Sequence, residues 1–191
     1  MKKIKIVFLL TNILGGKTYS RKVEEIVAEM PWVNAEFLYF NYSDYNYEGL
    51  STFRKKTQFL LASACMRKKY DLRAGQKNPD LLFFGSFHFL PYFYDVIKIT
   101  PAVLAHDTTN FLGHFLVYNK DKSAFNYLAY KAKSFFTASI YRKSVKKKDV
   151  FIPRTSWCAA SLKNDYAVQE EKIFTSCGFI DLDLWKPHPK H

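Results

Sequence analysis

The stretch KIKIVFLL, residues 3–10, decides how this chain is expected to fold. It is a nearly continuous apolar run, which is typical of a β-strand buried on both faces of a sheet. The segment TYSRKVEEIVAEM, residues 18–30, follows it with apolar residues at helical spacing, namely Val23, Ile26, Val27 and Met30. A buried strand followed by an amphipathic helix predicts the start of a β-α-β unit.

The rest of the chain continues this alternation. Further strand-like runs are NAEFLYF at 34–40, DLLFF at 80–84, PAVLA at 101–105, DVFI at 149–152 and KIFTS at 172–176. Helical patterns occupy residues 50–70, 123–145 and 156–166. The alternation predicts an α/β fold with a Rossmann-like, doubly wound and mostly parallel sheet. Ligands of such sheets bind beyond the carboxyl ends of the strands, so the loops at 11–17, 85–89 and 106–114 are the candidates for function.

The first of these loops contains Gly15, Gly16 and Lys17 between a strand and a helix. A phosphate-binding P-loop would require a further glycine where this chain has Thr11, so the match is incomplete. A nucleotide hydrolase, with Asp107 ending a Walker B strand, is retained as an alternative. Glycines without side chains let a sugar or phosphate approach the helix N-terminus, and the competing interpretation is that they only turn the chain into the helix.

The other two loops carry His88 and the run His106, Asp107 and Thr108. An imidazole at the edge of the sheet can hydrogen-bond a hydroxyl or carry charge near a phosphate. Asp107 and Thr108 could hydrogen-bond sugar hydroxyls. Each of these residues also has a structural interpretation, as a satisfied edge histidine, a helix cap or a brace of a turn.

Composition favours one globular unit of 191 residues, with 48% apolar residues and no apolar run near the roughly 20 residues that cross a bilayer. The three cysteines are odd in number and widely spaced, which favours reduced thiols, no zinc site and a cytoplasmic location. The net charge of +12 indicates an anionic partner: lipid head groups, nucleic acid or phosphorylated substrates. A solvated surface is the simpler interpretation of the same charge.

The carboxyl-terminal stretch RTSWCAASLKNDYAVQEEKIFTSCGFIDLDLWKP, residues 154–187, resembles the end of the N-terminal half of GT-B glycosyltransferases of the retaining group 1, or family 4, type. The matching positions are Ser156, Ser161, Leu162, Tyr166, Val168, Lys172, Ile173, Gly178, Asp181, Trp185 and Pro187. The loops ILGG, DLLFFGSFH and PAVLAHDTT also resemble this family. Two departures are the two-residue spacing between Gly178 and Asp181, where the family has one residue, and Ala167 in place of a glycine.

The resemblance implies an acceptor-binding domain at residues 1–184, followed at 185–191 by the start of a linker to an absent second domain. It implies transfer of a sugar from a nucleotide-sugar donor to an acceptor hydroxyl with retention, no metal and no cofactor besides the donor. His106 and Asp107 would then be the catalytic-side residues, facing the reacting sugar. Gly15, Gly16, Lys17, His88 and Thr108 would contact substrate. The isolated half is expected to be inactive.

A basic amphipathic helix at 50–70, with an apolar stripe of Phe53, Leu60, Leu61 and Ala64, is consistent with a lipid-linked acceptor and with peripheral binding at the inner face of a membrane. A helix that packs on the core with a solvated basic face explains the same pattern. An alternative from another class is a non-catalytic basic module that holds nucleic acid, with aromatic residues stacking on bases. No recognised nucleic-acid motif accompanies the charge, so no nucleic-acid partner is favoured.

Overall fold

The computed structural model describes residues 2–13, 15–44, 58–73, 79–107 and 150–176, together with residues 139, 141, 142 and 145. Its strands are β1 (Ile4–Thr11), β2 (Val33–Phe40), β3 (Leu81–Phe84), β4 (Ala102–His106) and β5 (Val150–Pro153). They form one sheet in the order β2-β1-β3-β4-β5, and every neighbouring pair is parallel. The predicted α/β fold with a parallel, Rossmann-like sheet is therefore confirmed.

Helices cover both faces of this sheet. The α-helices are α1 (Gly15–Ala28), α2 (Gln58–Arg73), α3 (Tyr94–Ile99) and α4 (Ser156–Tyr166). Three 3-10 helices lie at Tyr42–Asp44, Phe87–Tyr92 and Glu170–Lys172. On one face, α1 packs through Val23 and Val27. The other face is covered by α2, α3, α4 and the 3-10 helix Phe87–Tyr92.

The central strand β1 explains why the sheet is covered twice. Val7 and Leu9 belong to the larger core cluster, whereas Phe8 and Leu10 belong to the smaller cluster beneath α1. Side chains of a strand alternate between the two faces, so a run without polar residues must be buried on both. From β1 the chain crosses to β2 on one side, and from β3 it proceeds to β4 and β5 on the other. The switch point of the sheet therefore lies between β1 and β3.

The predicted sixth strand is wrong as a full strand. Ile173 makes one isolated parallel bridge to Phe151 of β5. Two further backbone bonds follow, from Phe174 N to the Phe151 oxygen at 2.8 Å and from Ser176 N to the Pro153 oxygen at 3.1 Å. Lys172 belongs instead to a 3-10 helix. The segment lies along the outer edge of β5 but does not form a continuous ladder there in the described part of the chain.

The predicted helix at 50–70 corresponds to α2, but the predicted apolar face is wrong. The buried apolar residues of α2 in the core are Ala62, Met66 and Tyr70, four residues apart, and the partly buried Cys65 packs against the same core. Leu60, Leu61 and Ala64 are half-buried beside them, and residues 50–57 lie outside the described residues. Apolar residues occur on several faces of α2, so their spacing alone does not show which face is buried.

Two cations of α2 are paired, which weakens the prediction of a free basic face. Arg67 contacts Asp95 at 2.6 Å and Asp71 at 2.9 Å. Lys69 contacts Asp44 at 2.7 Å. Such pairs offset the charge that would otherwise attract anionic lipid.

The remaining predictions concern two helices, membrane-spanning segments and the cysteines. The helix predicted at 156–166 coincides with α4. Within the predicted helix at 123–145, the described residues 139, 141, 142 and 145 are helical, and its apolar stripe from residue 125 to residue 140 lies outside them. None of the helices in the described ranges is both long and apolar enough to pass through a bilayer. Cys65 and Cys158 are free thiols, and Cys177 is outside these ranges.

Candidate functional site

A cavity of about 220 Å³ opens at the carboxyl ends of β1, β3, β4 and β5. We call it the rim cavity, and its lining residues are Thr11, Ile13, Gly16, Tyr19, Gly85, Ser86, Phe87, His88, His106, Asp107 and Arg154. Eight of these belong to β1, to the loop and helix that follow it, or to the segment after β3, so the cavity lies at the switch point of the sheet. Open parallel sheets bind their ligands at this place.

Gly16 has a demonstrable packing role at this site. A Cβ at Gly16 would lie 2.6 Å from Thr11 Cγ2 and 2.7 Å from the Thr11 carbonyl oxygen. The same carbonyl accepts a hydrogen bond from Ser20 Oγ at 3.0 Å, which ties the end of β1 to α1. The glycine is therefore required for the close approach of helix and strand, whatever ligand the cavity holds. This favours the structural interpretation of Gly16 while leaving it in the wall of the cavity.

Its neighbours Gly15 and Lys17 are placed less directly. Gly15 is the first residue of α1, and Lys17 is exposed on the first turn of that helix. Lys17 is not among the described residues that line the cavity. Thr108, the last of the predicted substrate-binding residues, lies outside the described residues.

The loop after β3 supplies the opposite wall. Gly85 N donates to the Leu9 carbonyl at 2.8 Å, which fixes the end of β3 beside β1. Ser86 caps the following 3-10 helix, and its hydroxyl accepts from His88 N at 3.3 Å. His88 is exposed at the edge of the cavity, whereas Phe87 is buried and packs on His106 with ring centroids 5.2 Å apart. The loop thus holds one histidine at the surface and shields the other.

His106 is the most unusual group in the cavity. Its residue is only 3% exposed, and within the described part of the chain neither ring nitrogen has a hydrogen-bond partner. Burial lowers the pKa of His106 to about 3, and the positive charge of Arg154 acts in the same direction. The Leu104 carbonyl opposes this shift, although it makes no hydrogen bond of normal geometry to the ring. A ring of this kind is neutral at physiological pH, so it can donate or accept a hydrogen bond but does not carry charge.

Arg154 reaches the same cavity from the end of β5. Its Nη1 contacts Asp107 Oδ1 at 2.7 Å, and its guanidinium lies 3.7 Å from the centre of the Tyr19 ring. The backbone supports the arrangement, since Arg154 N donates to the His106 carbonyl at 3.0 Å and Thr155 Oγ1 donates to the Asp107 carbonyl at 3.2 Å. Asp107 itself is 65% exposed at the side chain, at the mouth of the cavity.

Sequence reasoning missed Arg154 and Tyr19. Arg154 is visible in the sequence as a basic residue two positions after the strand-like run DVFI, and it takes the position after β5 that Asp107 takes after β4. The sequence gives no sign that Tyr19 belongs to the site, because it is simply one residue of a predicted amphipathic helix. Its contact with Arg154 joins residues that are far apart in the sequence.

A second cavity, of about 270 Å³, lies between α1 and the sheet. We call it the face cavity. Its walls are mainly apolar, with Val23, Ile26 and Met30 of α1 facing Phe83 of β3. Tyr19 and Arg154 line both cavities and so form the partition between them.

The rim cavity offers hydrogen bonds and one restrained cation. Nowhere in the described ranges do three or more His, Cys, Asp or Glu side chains gather as a metal site would require. The polar groups of the rim cavity could orient a polar ligand and stabilise charge on that ligand.

Known proteins give little further information about this site. No protein-family model matches the chain. A search of curated proteins found no sequence match either. Among solved structures, the chain is similar to UGT73P12 of Glycyrrhiza uralensis, crystallised in complex with glycyrrhetinic acid 3-O-monoglucuronide. The TM-score is 0.47 and the sequence identity is 8%. The match covers 91% of this chain and 48% of that one, so the chain spans about half its length. A similarity at this level does not establish a family.

Proposed function

We propose that this chain is the acceptor-side domain of a glycosyltransferase with a GT-B architecture. In this proposal, the complete protein transfers a sugar from a nucleotide-sugar donor to a hydroxyl of a lipid-linked or polysaccharide-linked acceptor, with retention of the anomeric configuration. The residue pattern at 154–187 supports it, and so does the parallel sheet. The observation that carries it is the polar cavity at the switch point, where the predicted residues Gly16, His88, His106 and Asp107 meet.

The proposed role of His106 is to orient a hydroxyl of the sugar. A neutral imidazole offers one donor nitrogen and one acceptor nitrogen, and a hydroxyl can pair with either of them. Burial keeps water from competing for these bonds, and hydrogen bonds are stronger in such surroundings. Asp107 lies at the mouth of the cavity and is tied to Arg154, so in this proposal its charge acts on the substrate together with that of the guanidinium.

The proposed roles of the remaining predicted residues are peripheral. Gly15 and Gly16 would place the N-terminus of α1 near an anionic group of the donor or acceptor. Lys17 and His88 are exposed, and in this proposal they contact the more distant parts of the substrate. Thr108 remains a predicted contact. A second domain would bind most of the nucleotide, and no metal is needed for this chemistry.

Ligand-observed NMR on the 191-residue chain tests the binding half of this proposal. Saturation transfer to mono- and oligosaccharides should occur and should disappear in His106→Leu, which removes both ring nitrogens. Lys98→Gln is the matched control, because this exposed residue lies on α3 and does not line the cavity. Absence of carbohydrate binding, combined with salt-sensitive binding of single-stranded DNA or RNA, would refute the proposal in favour of a nucleic-acid module.

The catalytic half requires the protein with a nucleotide-binding domain. We expect the isolated chain to give no sugar transfer from UDP-, GDP- or ADP-sugars, while the natural gene product with its second domain transfers with retention, as read by the anomeric NMR signal. Turnover by the 191-residue chain alone, or inversion by the complete protein, would contradict this assignment.

A further inference from the structure

The rim cavity contains three buried polar atoms that are unsatisfied in the described part of the chain. They are His106 Nδ1, His106 Nε2 and Arg154 Nε. Buried polar atoms almost always have hydrogen-bond partners, so a cluster of exceptions calls for an explanation. The cluster lines a cavity of about 220 Å³, which is far more room than the roughly 30 Å³ that one water molecule takes up in the liquid. A bound molecule with matching groups would satisfy Arg154 Nε and one nitrogen of the His106 ring.

The hydrogen-bonding types of these atoms define that molecule. Arg154 Nε can only donate, and it belongs to a cation, so an anionic oxygen is its best partner. His106 is held neutral, and one of its nitrogens therefore donates while the other accepts. A hydroxyl group can accept from the donor nitrogen or donate to the acceptor nitrogen, and it reaches only one of them because the two nitrogens point to opposite sides of the ring. The complement of the cluster is a molecule that carries an anionic oxygen close to a free hydroxyl.

Arg154 is held in place before any ligand arrives. Asp107 binds Nη1 on one side of the guanidinium, and Tyr19 supports its face at 3.7 Å from the ring centre. Only 18% of the Arg154 side chain is exposed. A planar cation fixed in this way loses little freedom when an anion binds, and its Nε has no hydrogen-bond partner among the described residues.

We propose that the rim cavity binds an acidic sugar, with its carboxylate or phosphate on Arg154 Nε and a neighbouring hydroxyl on His106. This inference rests on the proposed function and narrows it, since it makes Arg154 the specificity-determining residue for an anionic acceptor. Asp107 is then a positioning residue for Arg154. The donor nucleotide would bind elsewhere, on the second domain.

Isothermal titration calorimetry of the 191-residue chain tests this inference with four ligands, namely glucose, glucuronate, glucose 6-phosphate and inorganic phosphate. Glucuronate and glucose 6-phosphate, which carry a carboxylate and a phosphate, should each bind at least tenfold more tightly than glucose. Inorganic phosphate, which has no neighbouring sugar hydroxyl, should bind more weakly than glucose 6-phosphate. Preference for one of the two acidic sugars identifies the anionic group.

Variants then assign the effect to Arg154. In Arg154→Gln the preference for acidic sugars over glucose should disappear, while Lys98→Gln, which removes one exposed positive charge far from the cavity, should keep it. Arg154→Lys retains the charge but lacks the Nε donor, so it should lose most of the preference even if the glutamine variant does not fold. His106→Leu should weaken glucose and glucuronate together, because both present a hydroxyl.

Several outcomes would overturn the inference. Equal binding of glucose and glucuronate would overturn it while leaving the proposed function intact. An acidic-sugar preference that survives in Arg154→Gln, or that Lys98→Gln reduces equally, would show a general effect of the +12 charge. A preference that survives in Arg154→Lys would contradict the contact with Nε, because lysine keeps the charge without that donor. Arg154-dependent binding of UDP-glucose without binding of either free acidic sugar would assign the cation to the donor instead. Failure of every sugar to bind would count against the proposed function as well.

Discussion

The buried imidazole of His106 makes the stability of this protein depend on pH in a way that can be isolated experimentally. In the unfolded chain a histidine titrates near pH 6.5, whereas burial lowers the pKa of His106 to about 3 in the folded state. Between these two values the unfolded state binds more protons, so the free energy of unfolding falls as the pH falls. The stabilisation is complete above about pH 6.5 and is lost progressively on acidification towards pH 3.

The magnitude follows from the size of that window. Each pH unit below the unfolded pKa costs about 1.4 kcal/mol, so lowering the pH from 7.5 to 5.0 should cost about 2 kcal/mol through His106 alone. Carboxylates and other histidines also contribute to acid sensitivity. Comparison with His106→Leu removes their contribution, because they titrate in both proteins.

Urea unfolding followed by tryptophan fluorescence at the two pH values measures this difference. With a slope of about 2–3 kcal/mol/M, the wild-type midpoint should drop by about 0.7–1 M more than that of His106→Leu. His88→Gln is the control: His88 is exposed, and its replacement should leave the wild-type pH dependence unchanged. If His106→Leu lost as much stability on acidification as the wild type, the imidazole would not be buried and neutral, and the proposed hydroxyl contact would lose its basis.

Two further predictions concern stability. Gly16→Ala should lower the free energy of unfolding by about 1–3 kcal/mol, because the new Cβ would lie 2.7 Å from the Thr11 carbonyl oxygen and the backbone cannot easily move. Thermal unfolding measures this loss. An effect no larger than that of Lys17→Ala, at an exposed position, would contradict the close packing at Gly16. Arg67→Gln should cost about 1–2 kcal/mol by removing the bonds to Asp71 and Asp95, of which the closer is 2.6 Å. The loss should shrink in 1 M salt, and the exposed neighbour Lys68→Gln should have no such effect.

The sequence was most informative where periodicity had one interpretation. β1 is apolar at nearly every position, which is typical of a strand buried on both faces, and the alternation of such runs with helical patterns predicted the parallel sheet. The placement of His88 and His106 at one edge followed in turn, because parallel strands end together. Each of these inferences uses residues that are close in sequence.

The errors arose where local pattern was ambiguous or contacts were remote. The segment 172–176 has the composition of a strand, yet within the described part of the chain it makes one isolated bridge, and a 3-10 helix occupies its first residue. In α2 the buried residues Ala62 and Met66 are no more apolar than the half-buried Leu60 and Leu61, so composition does not orient the helix. Arg154 became a candidate only when the fold placed it over Tyr19, and a single sequence contains no record of that contact.

The partition formed by Tyr19 and Arg154 also sets the order in which this protein can mature. During synthesis, β1, α1 and β2 leave the ribosome early and can pair at once, since their contacts are local. The wall of the rim cavity cannot close until β5 has emerged and Arg154 has reached across to the first helix. Parallel pairing over such sequence distances is slow, because loop closure must come before the contacts that reward it. Competence to bind ligand is therefore expected to be among the last properties the nascent chain acquires, and ligand affinity would serve as a sensor of complete folding.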